Sequence, residues 1–237
     1  MRPPKSPLRR LRLISAHRRV AASDRVLATL LAGIAGAANA GGFILLGSYT
    51  SHMTGYLSQI ADNLVLHNIV LVGQSMAAIA CFVLGAAASA FAINWARQFR
   101  PKRQYALPIG LQGGLFVALA SIGATPMEPV TAQLSGLLLL CFIMGFQNAT
   151  ITKISQARIR TTHATGMITD VGIELGRAAY GRSVNASIAA DRAKLSILMQ
   201  LLVTFLLGGI IGAVGYGLIG FAFSLPLAAV LLALAWL

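Results

Sequence analysis

Apolar runs at about 26–46, 69–96, 105–122 and 131–151, and a last one over 195–237, contain no Asp, Glu, Lys or Arg. The last run has room for two passes, with a break near Ile219 to Phe221. A helix needs about 20 apolar residues to cross the roughly 30 Å of bilayer hydrocarbon, and these runs meet that length or come close to it. Lipid offers the backbone no hydrogen-bond partners, so such runs must satisfy their own peptide groups and form helices. The predicted fold class is therefore an all-α polytopic membrane protein with six transmembrane helices. A hydrophobic fraction of 57%, a charged fraction of 11% and a mean hydropathy of +0.75 exclude an ordinary soluble globule.

The chain carries 19 Lys and Arg against 6 Asp and Glu, a net charge of +13. Nucleic-acid binding does not account for this excess, because every basic residue lies between the apolar runs or at their ends. Basic regions at 1–25, 97–103 and 153–194 alternate with loops at 47–68, 123–130 and 219–222 that contain no Lys or Arg. Positively charged loops stay in the cytoplasm, so the pattern predicts six passes with both termini cytoplasmic. Residues 1–25, with three early prolines, form either a disordered leader that fixes the N-terminus or an arm that binds anionic lipid. No cleavable signal peptide is evident there. Cys81 and Cys141 are single thiols in apolar runs, read as small buried hydrophobes.

A polar phrase occurs twice. His52-Met53-Thr54-Gly55 begins the first copy, and Leu64 ends it; His163-Ala164-Thr165-Gly166 begins the second, which ends at Leu175. The same order of matches continues outside the phrases. Gly36 and Asn39 correspond to Gly145 and Asn148, Phe82 and Gly85 to Phe205 and Gly208, and Leu107-Pro108 to Leu225-Pro226. This predicts one membrane domain over 26–237, made of repeats at about 26–123 and 131–237. A repeat with an odd number of passes inserts its second copy upside down, the inverted architecture found in many secondary transporters. If each phrase crossed the membrane, residues 97–103 would fall outside. Each is therefore expected to enter and leave on one side, as a re-entrant or broken half-helix.

A half-helix that starts within the membrane presents unpaired N–H groups and the positive end of its dipole to the interior, a place to hold an anion or polar group. Thr54 and Thr165 are expected to cap these starts, and Gly55 and Gly166 to permit an unusual backbone, with the two ends meeting near the pseudo-two-fold axis. The competing reading makes Thr and Gly a tight helix contact only. Farther along, Gln59 and Asn63 share one helical face of the first copy, and Asp170 and Glu174 the same face of the second. The acidic pair suits ion or proton coupling; alternatively it pairs with Arg177, Arg158 or Arg160 at the cytoplasmic surface. His52 and His163 are titratable but lack metal-motif spacing, so no metal or cofactor is expected. Asn39 and Asn148 either hold the broken segments or a solute, or tie helices together.

The run Gly145-Phe146-Gln147-Asn148-Ala149, followed by Arg160-Thr161-Thr162-His163-Ala164-Thr165-Gly166, resembles the YoaK-like family of uncharacterised bacterial membrane proteins. His52-Met53-Thr54-Gly55 is similar to that family's other Thr-Gly motif. The resemblance covers roughly 26–237 and implies a six-span protein of the bacterial inner membrane, with no established substrate. One position departs: the family commonly has Asn after the first Thr-Gly, and here Tyr56 stands there.

No hydrolase, metalloprotease or phosphate-loop motif occurs, and no enzyme activity is expected. The expected function is a secondary transporter or permease for a small polar or anionic solute. Its solute-binding residues would be Asn39, His52, Thr54, Gly55, Gln59, Asn63, Asn148, His163, Thr165 and Gly166, with Asp170 and Glu174 coupling an ion. A membrane scaffold or sensor, or a passive channel, is the alternative. The expected partners are the lipid bilayer and the solute, with Gly208 and Gly212 marking a packing face used within the chain or across a homodimer.

Overall fold

The computed structural model describes residues 21–154, 163–184 and 188–236, and among these every regular element is a helix. Helix α1 covers Ala21–Leu46, α2 Met53–Val65, α3 Ile69–Phe99, α4 Ala106–Ile122 and α5 Pro129–Ile154. Then come α6 over Ala164–Ser183, α7 over Arg192–Ile219 and α8 over Ser224–Trp236. The stretches Arg25–Leu46, Ile69–Phe99, Pro129–Ile154 and Arg192–Trp236 are long and apolar enough to cross a membrane, and α4 is a shorter apolar helix. This is a membrane-embedded helical protein. The last stretch breaks at Gly220, whose φ of 59° lies in the left-handed region that favours glycine and ends α7. Most of the leader (1–20), with His17, lies outside the described residues, as do Arg158 and Arg160.

The long helices pack in pairs: α1 on α7, α3 on α5, α4 on α8. Glycine decides how close they come. A Cβ on Gly145 would strike the carbonyl of Phe82, and one on Gly85 the carbonyl of Phe142. In the other crossing, a Cβ on Gly36 would strike the carbonyl of Phe205, and one on Gly208 the carbonyl of Gly33. The anchors that repeat in the sequence are thus the residues at which backbones touch. In lipid, where apolar surface gains little by leaving the solvent, such close van der Waals packing carries much of helix association. The small-residue face of α7 is filled within the chain, Gly208 against Gly33 and Gly212 against Ala37.

Register fixes the direction of each pair. Helices α1 and α7 run parallel, with Arg25 donating to Ser196 near their starts and Gly41 beside Tyr216 farther along. Helices α3 and α5 also run parallel, Phe82 meeting Gly145 and Ser89 meeting Thr150. Helices α4 and α8 are antiparallel, with Gly110 beside Ala235 and Gly113 beside Leu232. Helices α1 and α5 are antiparallel too, Leu31 being bonded to Gln147 and Leu46 lying by Gly136. These registers gather Arg25, the 97–103 stretch, Lys153 and Lys194 at one end of the bundle. The connections without Lys or Arg lie at the other.

The core between the pairs is apolar, with Leu31, Phe116, Leu119, Leu140, Ile143 and Met144 fully buried. One chain of amides crosses it. Gln112 Nε2 donates to Gln147 Oε1 at 2.7 Å, and Gln147 Nε2 to the Leu31 carbonyl at 2.6 Å. Ser89 and Thr150 share a buried hydrogen bond of 2.8 Å nearby.

Candidate functional site

Both phrases form the first turn of a short helix, and the residue that flanks each start is the histidine. His52 is the N-cap of α2 and His163 the N-cap of α6. In α6 the imidazole Nδ1 of His163 accepts the Gly166 N–H at 3.1 Å. The cap is therefore histidine, and the expectation that Thr165 would cap is corrected: Thr165 lies inside the first turn with its side chain exposed. An accepting Nδ1 leaves the ring proton on Nε2, so this cap exists only in the neutral ring.

The role of the glycines changes with it. A Cβ on Gly166 would collide with His163 Nδ1, and one on Gly55 with the ring of His52. Neither glycine has a positive φ. The glycine three residues after each histidine clears space for the folded-back ring; it does not supply an unusual backbone as anticipated. In α2 the ring of His52 turns its Cδ2 edge to Gly55 and makes no cap hydrogen bond. A half-turn about Cβ–Cγ would present Nδ1 at the same place.

The chain before α2 turns back beside α1. It reverses at Gly47, φ 67°, buries Thr50 against Gly42, and delivers Ser51 to Asn39. Asn39 Oδ1 accepts both the Ser51 N–H at 3.0 Å and its hydroxyl at 2.9 Å. Asn39 lies seven residues before the end of α1 at Leu46 (46 − 39), so at 1.5 Å per residue the chain has returned about 10 Å. Helix α2 starts from that depth and packs on α3. Gln59 Oε1 accepts from Ser75 of α3 at 3.2 Å, and Asn63 Nδ2 donates to the Gln59 carbonyl at 2.8 Å. Tyr56, at the position that departs from the YoaK-like pattern, is buried with Ala78, Leu137 and Cys141 and pins the half-helix to the bundle. Its counterpart Met167 is buried in the main core and does the same for α6.

Helix α6 lies antiparallel to the start of α7. Lys194 Nζ stands 3.4 Å from Asp170 and 3.5 Å from Glu174, and Arg177 is 3.2 Å from Glu174. Glu174 also accepts the Asp191 N–H at 2.9 Å, while the Asp191 side chain caps α7 through the Lys194 N–H. That backbone hydrogen bond, with the two cations, holds the buried Glu174 carboxyl below the ordinary carboxylate range despite the opposing effect of burial. The acidic pair thus forms a clamp between α6 and α7. Its pairing with Arg177 was one of the two sequence readings; the larger share taken by Asp191 and Lys194 was not anticipated. Continuing seven residues from Asp170 to His163 along the helix axis places the His163 cap about 10 Å beyond Lys194, again within the bundle.

Asn148 is half-buried at the place in α5 that corresponds to Asn39, and the segment that would answer to Ser51 lies outside the described residues. The two half-helices are not brought together. Helix α2 packs on α3 and α6 on α7, and the extensive helix contacts include none between α2 and α6. His52 and Thr54 are exposed at the start of α2, and His163 and Thr165 at the start of α6. Among the described residues no group of three metal-ligating side chains occurs.

The DUF1275 family, described as a protein of unknown function, matches residues 27–237. The chain belongs to the DUF1275 family. DUF1275 and YoaK-like denote the same family, so the paired Thr-Gly motifs identified it from sequence. No curated protein and no solved structure shows a match.

Proposed function

We propose that this DUF1275 protein is a six-pass permease of the bacterial inner membrane for a small polar or anionic solute, built from two inverted three-pass halves with cytoplasmic termini. The observation that carries the reading is the start of α2 at the depth of Asn39, with His52 and Thr54 exposed there. A helix N-terminus held inside the membrane thickness is a site for negative charge, and maintaining it in lipid is costly unless it is used. The inverted halves are supported by the paired crossings. Gly36 against Phe205 and Gly145 against Phe82 exchange under the repeat correspondence, as do Gly208 against Gly33 and Gly85 against Phe142. The antiparallel registers of α1 with α5 and of α4 with α8 agree with inversion. The gathering of basic helix ends at one end of the bundle supports placing that end in the cytoplasm.

A second reading, a non-transporting scaffold, draws on the dry interior. Gln112, Gln147, Ser89 and Thr150 are fully buried and bonded among themselves, where a solute route would expose such groups. Uptake into proteoliposomes, screened over small anions and polar solutes with and without a pH gradient, separates the two. The permease reading expects solute-specific uptake that falls at least about tenfold in Thr165→Val and in His163→Asn. Asn is among the best N-cap residues, so the helix start survives that change. No uptake of any solute by folded wild-type protein would favour the scaffold. Uptake unchanged in both variants would remove the half-helix starts from the route.

A further inference from the structure

At the basic end of the bundle a groove of about 510 Å³ opens between the end of α3, α4 and the end of α8. Its two parts differ chemically. The mouth holds Arg100, just before the short turn Pro101–Arg103, Arg103, which ends that turn, and Trp95. The rest is apolar and runs along α4 past Gly110 and Gly114, with Ala235 of α8 as its far wall. Gly110 and Gly114 are one turn apart and share a face of α4. A Cβ on Gly114 would meet nothing within 4 Å, so the floor there is open space. Among the described residues neither guanidinium has an ion-pair or side-chain hydrogen-bond partner, and both are exposed. Helices α3, α4 and α8, which line the groove, contain no acidic residue.

We propose that this groove holds one anionic phospholipid, its phosphate on Arg100 and Arg103 and one acyl chain along the glycine floor of α4. Guanidinium forks match phosphate oxygens in a bidentate manner. A soluble anion would use the mouth and leave the apolar floor empty; a neutral lipid would use the floor and leave both cations unpaired. Only an amphiphile with an anionic head satisfies both parts. Trp95 beside the mouth suits the headgroup level, where indole rings sit in membranes. The inference rests on membrane embedding and on the groove alone, not on transport.

Trp95 supplies the readout. Full-length protein carrying Trp236→Phe is reconstituted in phosphatidylcholine bilayers containing a small fraction of lipid with brominated acyl chains, whose bromines quench indole fluorescence on contact. A basic side chain near the surface is worth about 1 kcal/mol of attraction to anionic lipid, so two give a preference of about thirtyfold. Brominated phosphatidylglycerol should therefore quench Trp95 at about one-thirtieth the mole fraction needed with brominated phosphatidylcholine. Arg100→Gln with Arg103→Gln should bring the two lipids level, and Gly114→Leu, which fills open space, should weaken quenching by phosphatidylglycerol. Excess inorganic phosphate should leave that quenching in place. Equal quenching by the two lipids in the wild-type groove would overturn the proposal without reference to any variant. Full displacement by inorganic phosphate would overturn it in favour of a headgroup-only anion site.

Discussion

At the scale of the residue, histidine and glycine in each phrase form one device. The imidazole of His163 folds over the first turn of α6 and accepts the Gly166 N–H, and only a residue without Cβ leaves room for it. The two energies involved are similar in size and opposite in sign. Losing an N-cap costs about 1 kcal/mol, and Ala in place of Gly within a helix gains up to about 1 kcal/mol. Gly166→Ala should therefore change thermal stability in detergent by less than about 1 kcal/mol, while expelling the ring. His163→Ala, with no such offset, should cost about 1 kcal/mol. Nitrogen NMR of imidazole-labelled protein checks the distinction, since Nδ1 of His163 should lose its acceptor signature in Gly166→Ala. An unchanged Nδ1 signal there would contradict the device.

At the scale of the element, the clamp between α6 and α7 depends on one carboxylate. Glu174 is held below the ordinary carboxylate range by the Asp191 N–H, then by Arg177 and Lys194, against the cost of its burial. A group whose folded pKa is depressed contributes stability that is present above its unfolded pKa and lost as pH falls through the folded one. Wild-type protein should therefore lose Tm in detergent as pH drops from the ordinary carboxylate range to below it. Glu174→Gln keeps an acceptor for Asp191 but loses both cations, so it should start lower and show a flatter acid limb. A variant as stable and as acid-sensitive as wild type would remove Glu174 from the clamp. The sequence made Asp170 and Glu174 visible as an i,i+4 pair but not their main partners, because Asp191 and Lys194 follow a connection whose path no local pattern fixes. It also passed over Gln147, which stands beside the noted Asn148, and Gln112. A lone amide in an apolar helix has no period, and its partner lies on another helix. The long helices were legible for the opposite reason: apolar length and the charge at the run ends act locally, and length alone placed a break near Ile219 to Phe221, which the structure puts at Gly220.

At the scale of the whole molecule, the glycine anchors that repeat in sequence are also points where the long helices touch. That coincidence is what a duplication would leave, because a crossing set by backbone contact at glycine cannot drift without separating the pair. The shared end of Arg25, residues 97–103, Lys153 and Lys194 gives the bundle one basic face. The capping of α6 by His163 could not be read from the phrase, where Thr is the more common N-cap and stands only two residues away. The central claim is that each phrase enters and leaves on one side, so that six passes carry the chain across. Single cysteines in a background without Cys81 and Cys141, labelled in intact cells by a membrane-impermeant maleimide, test it directly. Glu128→Cys should react from the periplasm, whereas Pro101→Cys and Ser183→Cys should react only after the membrane is opened. Reaction of Pro101→Cys in intact cells would mean that the first phrase crosses the membrane, and the two-half architecture would fall.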